Sequence, residues 1–152
     1  MDKEELTGNE GAAVLVCDNA DELPRIAAEI RDAAADKKVW LLEGEMGAGK
    51  TTLIKAMALL YEVEDTVSSP TYALVNEYEN SAGEQFYHFD LYRVKDQEEV
   101  QDIGISEYFY SGNICWVEWP SKIPDLLPDQ YFKITIFVSA DDRRMFQLSH
   151  HE

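Results

Sequence analysis

One short stretch constrains the fold of this 152-residue chain more than any other. Residues 44–51 read GEMGAGKT and match the pattern G-x-x-x-x-G-K-[ST], which forms a loop around phosphate groups. The run 39–42 before it is continuously apolar, as in a buried strand, and the apolar residues after it recur at helical spacing. A strand, a glycine loop and a helix in this order are the context that the motif requires.

The residue types in this loop suit an anionic ligand. Glycines allow successive backbone N–H groups to face one point, and the following helix adds the partial positive charge of its N-terminus. Lys50 is predicted to contact the β- and γ-phosphates of a nucleotide, and the Thr51 hydroxyl to bind Mg²⁺. The alternative is a glycine-rich turn with an exposed lysine. The predicted nucleotide-binding residues are Glu45, Met46, Gly47, Ala48, Gly49, Lys50, Thr51 and Thr52.

Strand-like and helix-like runs alternate early in the chain, and strands pair as hairpins later. This order predicts an α/β fold, namely a three-layer P-loop NTPase sandwich with parallel central strands and antiparallel additions. We expect residues 1–11 to form a flexible leader and residues 12–152 a single P-loop domain. The predicted strands are 12–17, 38–43, 72–79, 85–90, 113–119, 131–139 and 143–149, and the predicted helices are 23–34, 50–61, 96–104 and 105–110.

The charge of the chain narrows the choice of partners. Thirteen basic residues face 30 acidic ones, which gives a formal net charge of −17, and no basic run is present. Proteins that bind nucleic acid carry a basic patch or stripe, and an acidic surface is repelled by anionic membranes. Direct, tight binding of RNA or DNA and binding to anionic membranes are therefore not expected.

The sequence also predicts a cytoplasmic location. The acidic start of the chain lacks the basic and then apolar pattern of a signal peptide, and no apolar run approaches the ~20 residues that span a bilayer. Cys17 and Cys115 both lie in strand-like runs, and their spacing does not suit a metal site. Both are expected to be buried, reduced thiols.

Two carboxylates are candidates for the metal and water chemistry that a phosphate loop needs. Glu118 follows the apolar run 114–117, and Asp90 follows the run 86–89. In an open α/β sheet, ligands bind at the carboxyl ends of strands, where both acids are placed. We assign Glu118 to the metal, together with Thr51, and Asp90 to a metal-bound or attacking water. The predicted catalytic residues are Asp90, Glu118 and Lys50; the alternative for each acid is a solvated loop carboxylate.

Several further residues are open to two interpretations. Ser69 and Thr71 lie about 20 residues beyond the loop, where GTPases carry a nucleotide-sensing segment, and Thr71 is predicted to contact Mg²⁺ or the γ-phosphate unless the segment is a simple turn. Arg93 is either an arginine finger or a surface ion-pair partner. His88 is interpreted as a packed histidine. The chain contains no guanine-reading N-K-x-D motif, which favours ATP over GTP.

Taken together, these segments resemble the bacterial TsaE family, also called YjeE. The resemblance runs from residue 12 to the end of the chain and depends on four motifs in the same order: GEMGAGKTT (44–52), SPTYALV (69–75), HFDLYR (88–93) and VEWP (117–120). The spacing of the glutamates, glycine and aromatic residues between positions 98 and 109 adds to it.

The resemblance implies a function. TsaE proteins are small P-loop ATPases that act with TsaB and TsaD to make threonylcarbamoyladenosine at position 37 of tRNAs reading codons that begin with A. It implies that Mg²⁺-dependent ATP hydrolysis resets the TsaB–TsaD complex, that tRNA is engaged only through these partners, and that segment 18–21 lies near the adenine. It carries over Lys50, Thr51, Thr71, Asp90 and Glu118 as site residues.

Two other classes of function remain possible from the residues alone. A small-molecule kinase would need an acceptor pocket and an arginine-rich lid, and the chain has neither a lid-length insertion nor an arginine cluster. A nucleotide-dependent binding module would bind ATP with negligible turnover. Phosphate release with and without partner proteins distinguishes this module from an ATPase.

Overall fold

The apolar runs 39–42 and 114–117 form neighbouring strands at the centre of a seven-stranded sheet. The computed structural model describes residues 13–68 and 74–152. Its strands are β1 (Ala13–Cys17), β2 (Val39–Glu43), β3 (Val75–Glu79), β4 (Gln85–Asp90), β5 (Ile114–Glu118), β6 (Tyr131–Val138) and β7 (Arg144–His151). Its α-helices are α1 (Leu23–Ala34), α2 (Lys50–Leu60), α3 (Gln97–Asp102) and α4 (Ile105–Phe109).

The strand order is β1-β7-β6-β2-β5-β4-β3. The four inner strands β6, β2, β5 and β4 are mutually parallel, whereas β7, β1 and β3 are antiparallel to their neighbours. Because the inner strands are covered on both faces, β2 and β5 contain almost only buried apolar residues. The predicted α/β class, with parallel central strands and antiparallel additions, is confirmed.

Helices cover the sheet on both sides. On one face, Ile26 and Ile30 of α1 and Leu53 and Met57 of α2 pack with Trp40 of β2. The other face is covered by α3, α4 and the loop after β5, whose buried residues Val100, Ile105, Phe109 and Ile123 surround Leu41, Phe89 and Val117 of the sheet. The two apolar clusters on opposite faces give the three layers.

The ends of α1 and α3 follow the sequence signals closely. Pro24 lies in the first turn of α1, where its missing N–H group has no intrahelical partner to lose. Just before α1, the Asn19 side chain accepts a hydrogen bond from the Asp21 N–H, and the Glu22 side chain accepts one from the Asp18 N–H. Gly104, with a φ of 74°, separates α3 from α4.

The strands differ from the prediction mainly at their ends. The predicted leader and the start of the predicted strand 72–79 lie outside the described residues, and β3 begins at Val75. β7 continues to His151, two residues beyond the predicted end, because the His151 ring stacks on the Tyr131 ring of β6 at 4.5 Å. Cys17 and Cys115 are buried free thiols, as predicted. Among the described helices, none is long and apolar enough to cross a membrane.

Candidate nucleotide-binding site

The glycine loop leaves the carboxyl end of β2 and enters α2, as predicted. A Cβ atom on Gly44 would lie 3.1 Å from both the Ala48 Cβ and the Ile136 carbonyl oxygen, so a side chain there would require these neighbours to shift. Gly49 has a φ of +105°, a conformation that side-chain-bearing residues rarely adopt. Its carbonyl accepts the Leu53 N–H at 2.9 Å, which begins the helix. The backbone of the loop therefore favours glycine at both ends, through close packing at Gly44 and through its conformation at Gly49.

Lys50 is held at the base of this loop rather than in solvent. Its side chain is only 6% exposed, its Nζ donates to the Gly44 carbonyl at 2.5 Å, and the same atom lies 3.5 Å from the centre of the Trp119 ring. Burial lowers the pKa of Lys50, and the nearby carboxylates of Glu118 and Asp90 oppose that shift. The alternative of an exposed lysine is wrong; the ammonium is fixed among groups that the loop and β5 supply.

Glu118 is the carboxylate that meets the loop directly. It is 3% exposed, and the Thr51 hydroxyl lies 3.0 Å from its Oε1 and 3.1 Å from its Oε2. The ring Nε2 of His88, which belongs to β4, lies 2.7 Å from the Glu118 Oε2. A buried carboxylate is stable only when its oxygens accept hydrogen bonds, and here two side chains supply them. Glu118 is therefore not a solvated loop acid.

Asp90 lies next to Glu118 in the sheet. The two residues are register partners on the parallel strands β4 and β5, and the Leu91 N–H donates to the Glu118 carbonyl at 3.1 Å. Asp90 is half-buried, and its Oδ1 accepts the backbone N–H of Tyr92 at 3.1 Å. The carboxyl ends of β2, β4 and β5 thus bring Lys50, Asp90 and Glu118 to one edge of the sheet.

The oxygen atoms at this edge suit Mg²⁺. The ligands would be the Thr51 hydroxyl and the Glu118 carboxylate, which are hard oxygen donors in mutual contact. Within residues 13–68 and 74–152, no group of three His, Cys, Asp or Glu side chains could hold a metal by itself. Mg²⁺ retains waters and takes phosphate oxygens as ligands, so one carboxylate and one hydroxyl are a sufficient protein contribution.

A cavity of about 400 Å³ lies beside the loop. Segment 17–20 after β1 forms one wall, Ala48, Gly49 and Thr52 of the loop and α2 form the second, and Arg144 and Phe146 of β7 form the third. The Arg144 Nε donates to the Ala48 carbonyl at 3.2 Å, so this residue connects the cavity to the loop. Small-molecule sites have volumes of this order.

Sequence reasoning missed part of this site. Arg144 and Phe146 belong to a strand whose position beside β1 depends on long-range pairing, and no local pattern marks them. His88 is fully buried, as expected of a packed histidine, but it also contacts Glu118. His88 lies two residues before Asp90 and therefore on the same face of the strand, and this spacing could have predicted that its side chain lies near the two acids.

The site as described above does not include three residues that the sequence analysis considered. Ser69 and Thr71 lie outside the described residues, and their roles stay predictions. Arg93 is exposed in the turn after β4 and, within the described part of the chain, makes no ion pair.

The fold and the loop define a class: the chain is an α/β protein with a P-loop at the carboxyl end of a central parallel strand, followed directly by a helix. The family model described as threonylcarbamoyl adenosine biosynthesis protein TsaE matches residues 17–146. The chain therefore belongs to the TsaE family.

Individual relatives agree with this assignment. The tRNA threonylcarbamoyladenosine biosynthesis protein TsaE of Haemophilus influenzae is 44% identical over 104 residues, which are 68% of this chain and 65% of that protein. The Bacillus subtilis protein of the same name is 38% identical over 126 residues, covering 83% of this chain and 78% of that protein. The crystal structure of Bacillus subtilis YdiB superposes with a TM-score of 0.72 at 30% identity and covers 94% of this chain and 88% of that one.

Proposed function

We propose that this chain is a Mg²⁺-dependent ATPase that serves as an accessory subunit in tRNA threonylcarbamoyladenosine biosynthesis. The observation that carries the proposal is the contact between the Thr51 hydroxyl of the P-loop and the buried Glu118 carboxylate. This contact brings a metal-binding pair next to Lys50 at the carboxyl end of the sheet. The names of the relatives supply the pathway.

The chain's own groups divide the work at the nucleotide. The backbone N–H groups of the loop and the Lys50 ammonium would hold the phosphates, and Thr51 with Glu118 would hold Mg²⁺. Bound Mg²⁺ supplies charge that offsets the charge of the β- and γ-phosphates. Asp90, more open to solvent than Glu118, would orient the attacking water or a water on the metal. Hydrolysis of this kind depends mainly on positioning and charge.

The cavity beside the loop is the proposed site for the adenine and ribose. It adjoins Ala48, Gly49 and Thr52, and segment 18–20 lines it, as the resemblance implies for the adenine. Because ATP and ADP share these parts, we expect Arg144→Ala to weaken the affinity for both nucleotides equally, by about tenfold, for the loss of one ordered cationic contact. Isothermal titration measures both affinities.

Arg25→Ala is the matched control for this prediction, because Arg25 lies exposed on α1 and its removal changes the net charge equally. A loss of ATP affinity without a loss of ADP affinity would place Arg144 at the γ-phosphate instead. Unchanged affinity for both nucleotides would show that the cavity is not part of the nucleotide site.

We further propose that TsaB and TsaD are the partners, that ATP hydrolysis resets their complex, and that tRNA is engaged only through them at position 37. The 13 basic residues of the chain face 30 acidic ones and form no basic run, so the chain offers little attraction to the phosphate backbone of a nucleic acid. The acidic residues are instead compatible with a protein partner. A cytoplasmic location follows from this role.

This function predicts slow ATP hydrolysis by the isolated chain and no measurable tRNA binding near physiological salt. P-loop hydrolysis without a well-placed arginine is slow, and supplying one accelerates it by about 10³–10⁵. Arg93 is the arginine nearest to Asp90 in sequence, and it is exposed. Steady-state phosphate release with and without purified TsaB and TsaD, together with filter binding of tRNA, measures both quantities.

The same experiment also shows which results would contradict this function and which would indicate a binding module. Full-speed turnover without partners, or tight tRNA binding by the chain alone, would contradict the accessory-subunit mechanism. ATP binding with no phosphate release in the complete complex would indicate a binding module.

A further inference from the structure

A continuous series of buried side chains extends from Glu118 away from the P-loop. The Glu118 Oε2 lies 2.7 Å from the His88 Nε2, and the His88 Nδ1 lies 3.1 Å from the Tyr78 hydroxyl. The Tyr78 hydroxyl in turn lies 3.2 Å from the Ser68 carbonyl oxygen. His88 is fully buried and Tyr78 is 5% exposed, so water does not compete for the two contacts that His88 makes. The metal-binding acid is thus connected through two rings to a backbone group.

The contacts determine the orientation of the His88 ring. A carboxylate only accepts hydrogen bonds, so the His88 Nε2 carries a proton and donates it to Glu118. The His88 Nδ1, on the other side of the ring, lies 3.1 Å from the Tyr78 hydroxyl. Burial raises the pKa of Tyr78, which keeps this hydroxyl protonated. Both ring nitrogens are therefore engaged, and the ring has no free rotation.

Tyr78 is itself anchored on the far side. The Asn76 Nδ2 lies 3.2 Å from the Tyr78 hydroxyl and 3.0 Å from the Ser68 carbonyl oxygen, which both groups share as an acceptor. β3 pairs with β4 so that Asn76 is the register partner of His88. The edge strand β3 therefore supplies two side chains whose polar atoms meet beside His88.

Glu118 is held between two donors on opposite sides. Thr51 contacts it from the P-loop and His88 contacts it from β4. Without the His88 donor, the buried carboxylate would keep only the Thr51 hydroxyl, which its two oxygens share, and it would turn to find a second donor. Outer partners of metal-binding carboxylates typically contribute 10–100-fold in metal affinity.

We propose that His88 is a positioning residue that fixes the Glu118 carboxylate against Thr51, and that Tyr78 sets the orientation of the His88 ring. The proposal rests on the Mg²⁺-dependent ATP binding proposed above. A packed core histidine would instead contribute only to stability, and the two roles give different results.

Two variants of similar size separate these roles. In His88→Gln, the amide group extends about as far as the histidine Nε2 and retains a donor to Glu118, whereas the amide of His88→Asn ends near the Nδ1 position. We expect His88→Asn to raise the Mg²⁺ concentration needed for tight ATP binding by about 10–100-fold, and His88→Gln to restore most of this loss. ATP affinity without Mg²⁺ should remain equal in both variants. Calorimetric titration with and without Mg²⁺ measures these quantities, and thermal unfolding reports stability.

A second measurement needs neither metal nor nucleotide. The buried Nε2–H of His88 is observable in ¹⁵N-correlated NMR spectra of the labelled chain, and we expect its chemical shifts to move in both Glu118→Gln and Tyr78→Phe. Tyr87→Phe is the control, because Tyr87 is a neighbouring buried tyrosine on the opposite face of β4, and it should leave the signal unchanged.

The outcomes are separable. Failure of the native chain to bind ATP would overturn the proposed function, and the NMR spectra would still decide whether Tyr78 and Glu118 orient His88. Equal Mg²⁺ dependence in His88→Asn, His88→Gln and the native chain would overturn the positioning role, as would His88 shifts that ignore both Glu118→Gln and Tyr78→Phe.

Discussion

Replacing Lys50 with alanine should lower the affinity for ATP by about ten- to a hundredfold. A hydrogen bond to a charged group contributes roughly 1.5–3 kcal/mol, and each 1.4 kcal/mol corresponds to a factor of ten in affinity. Lys50 is 6% exposed and fixed between the Gly44 carbonyl and the Trp119 ring, so water shields its charge only weakly. Isothermal titration with ATP measures the loss, and circular dichroism establishes that the variant is folded.

Lys55→Ala is the control for this experiment. Lys55 lies on the same helix and is exposed, so its removal makes the same change in net charge without touching the loop. We expect its ATP affinity to equal that of the native chain. A folded Lys50→Ala protein with native affinity would contradict the nucleotide-binding role of the loop.

The two acids should respond differently to neutralisation. Glu118→Gln should lower Mg²⁺-dependent ATP affinity by about tenfold or more, because Glu118 is the buried carboxylate in contact with Thr51. Asp90→Asn should lower turnover by about a hundredfold with little change in affinity, as expected when a group acts on a water in the reaction. Phosphate release in the presence of TsaB and TsaD gives turnover, and titration at fixed Mg²⁺ gives affinity.

Asp102→Asn controls for the change in charge, because Asp102 is exposed on α3. The reverse pattern, with Asp90 governing affinity and Glu118 governing turnover, would exchange the two assignments. Equal effects on both quantities would mean that the carboxylates act as a unit.

The parts of the fold that sequence predicted are those with a strong local signal. The P-loop motif fixes a strand, a turn and a helix by itself, and the apolar run before Glu118 marks a central strand. Asp90 and Glu118 could be placed together because the carboxyl ends of parallel strands share one edge of the sheet. These predictions needed only periodicity and strand direction.

The parts that escaped prediction depend on long-range pairing. Nothing near β7 indicates that this strand inserts between β6 and β1, yet that insertion places Arg144 and Phe146 beside Gly49. The contact between His88 and Glu118 depends on the register of β4 against β5, which pairs Asp90 with Glu118. Burial could be predicted for His88, but its partner could not.

The position of β7 also has a consequence for the order in which the site assembles during synthesis. Of the described strands, β1 is the first to leave the ribosome, and the one described strand that pairs with it is β7, the last. β2, β4 and β5 can pair while the rest of the chain is still being made, so the P-loop can form with Asp90 and Glu118 beside it. Segment 17–20 can meet Arg144 only after β7 has been translated. We therefore expect the nascent protein to acquire its phosphate-binding end first and the cavity beside it last.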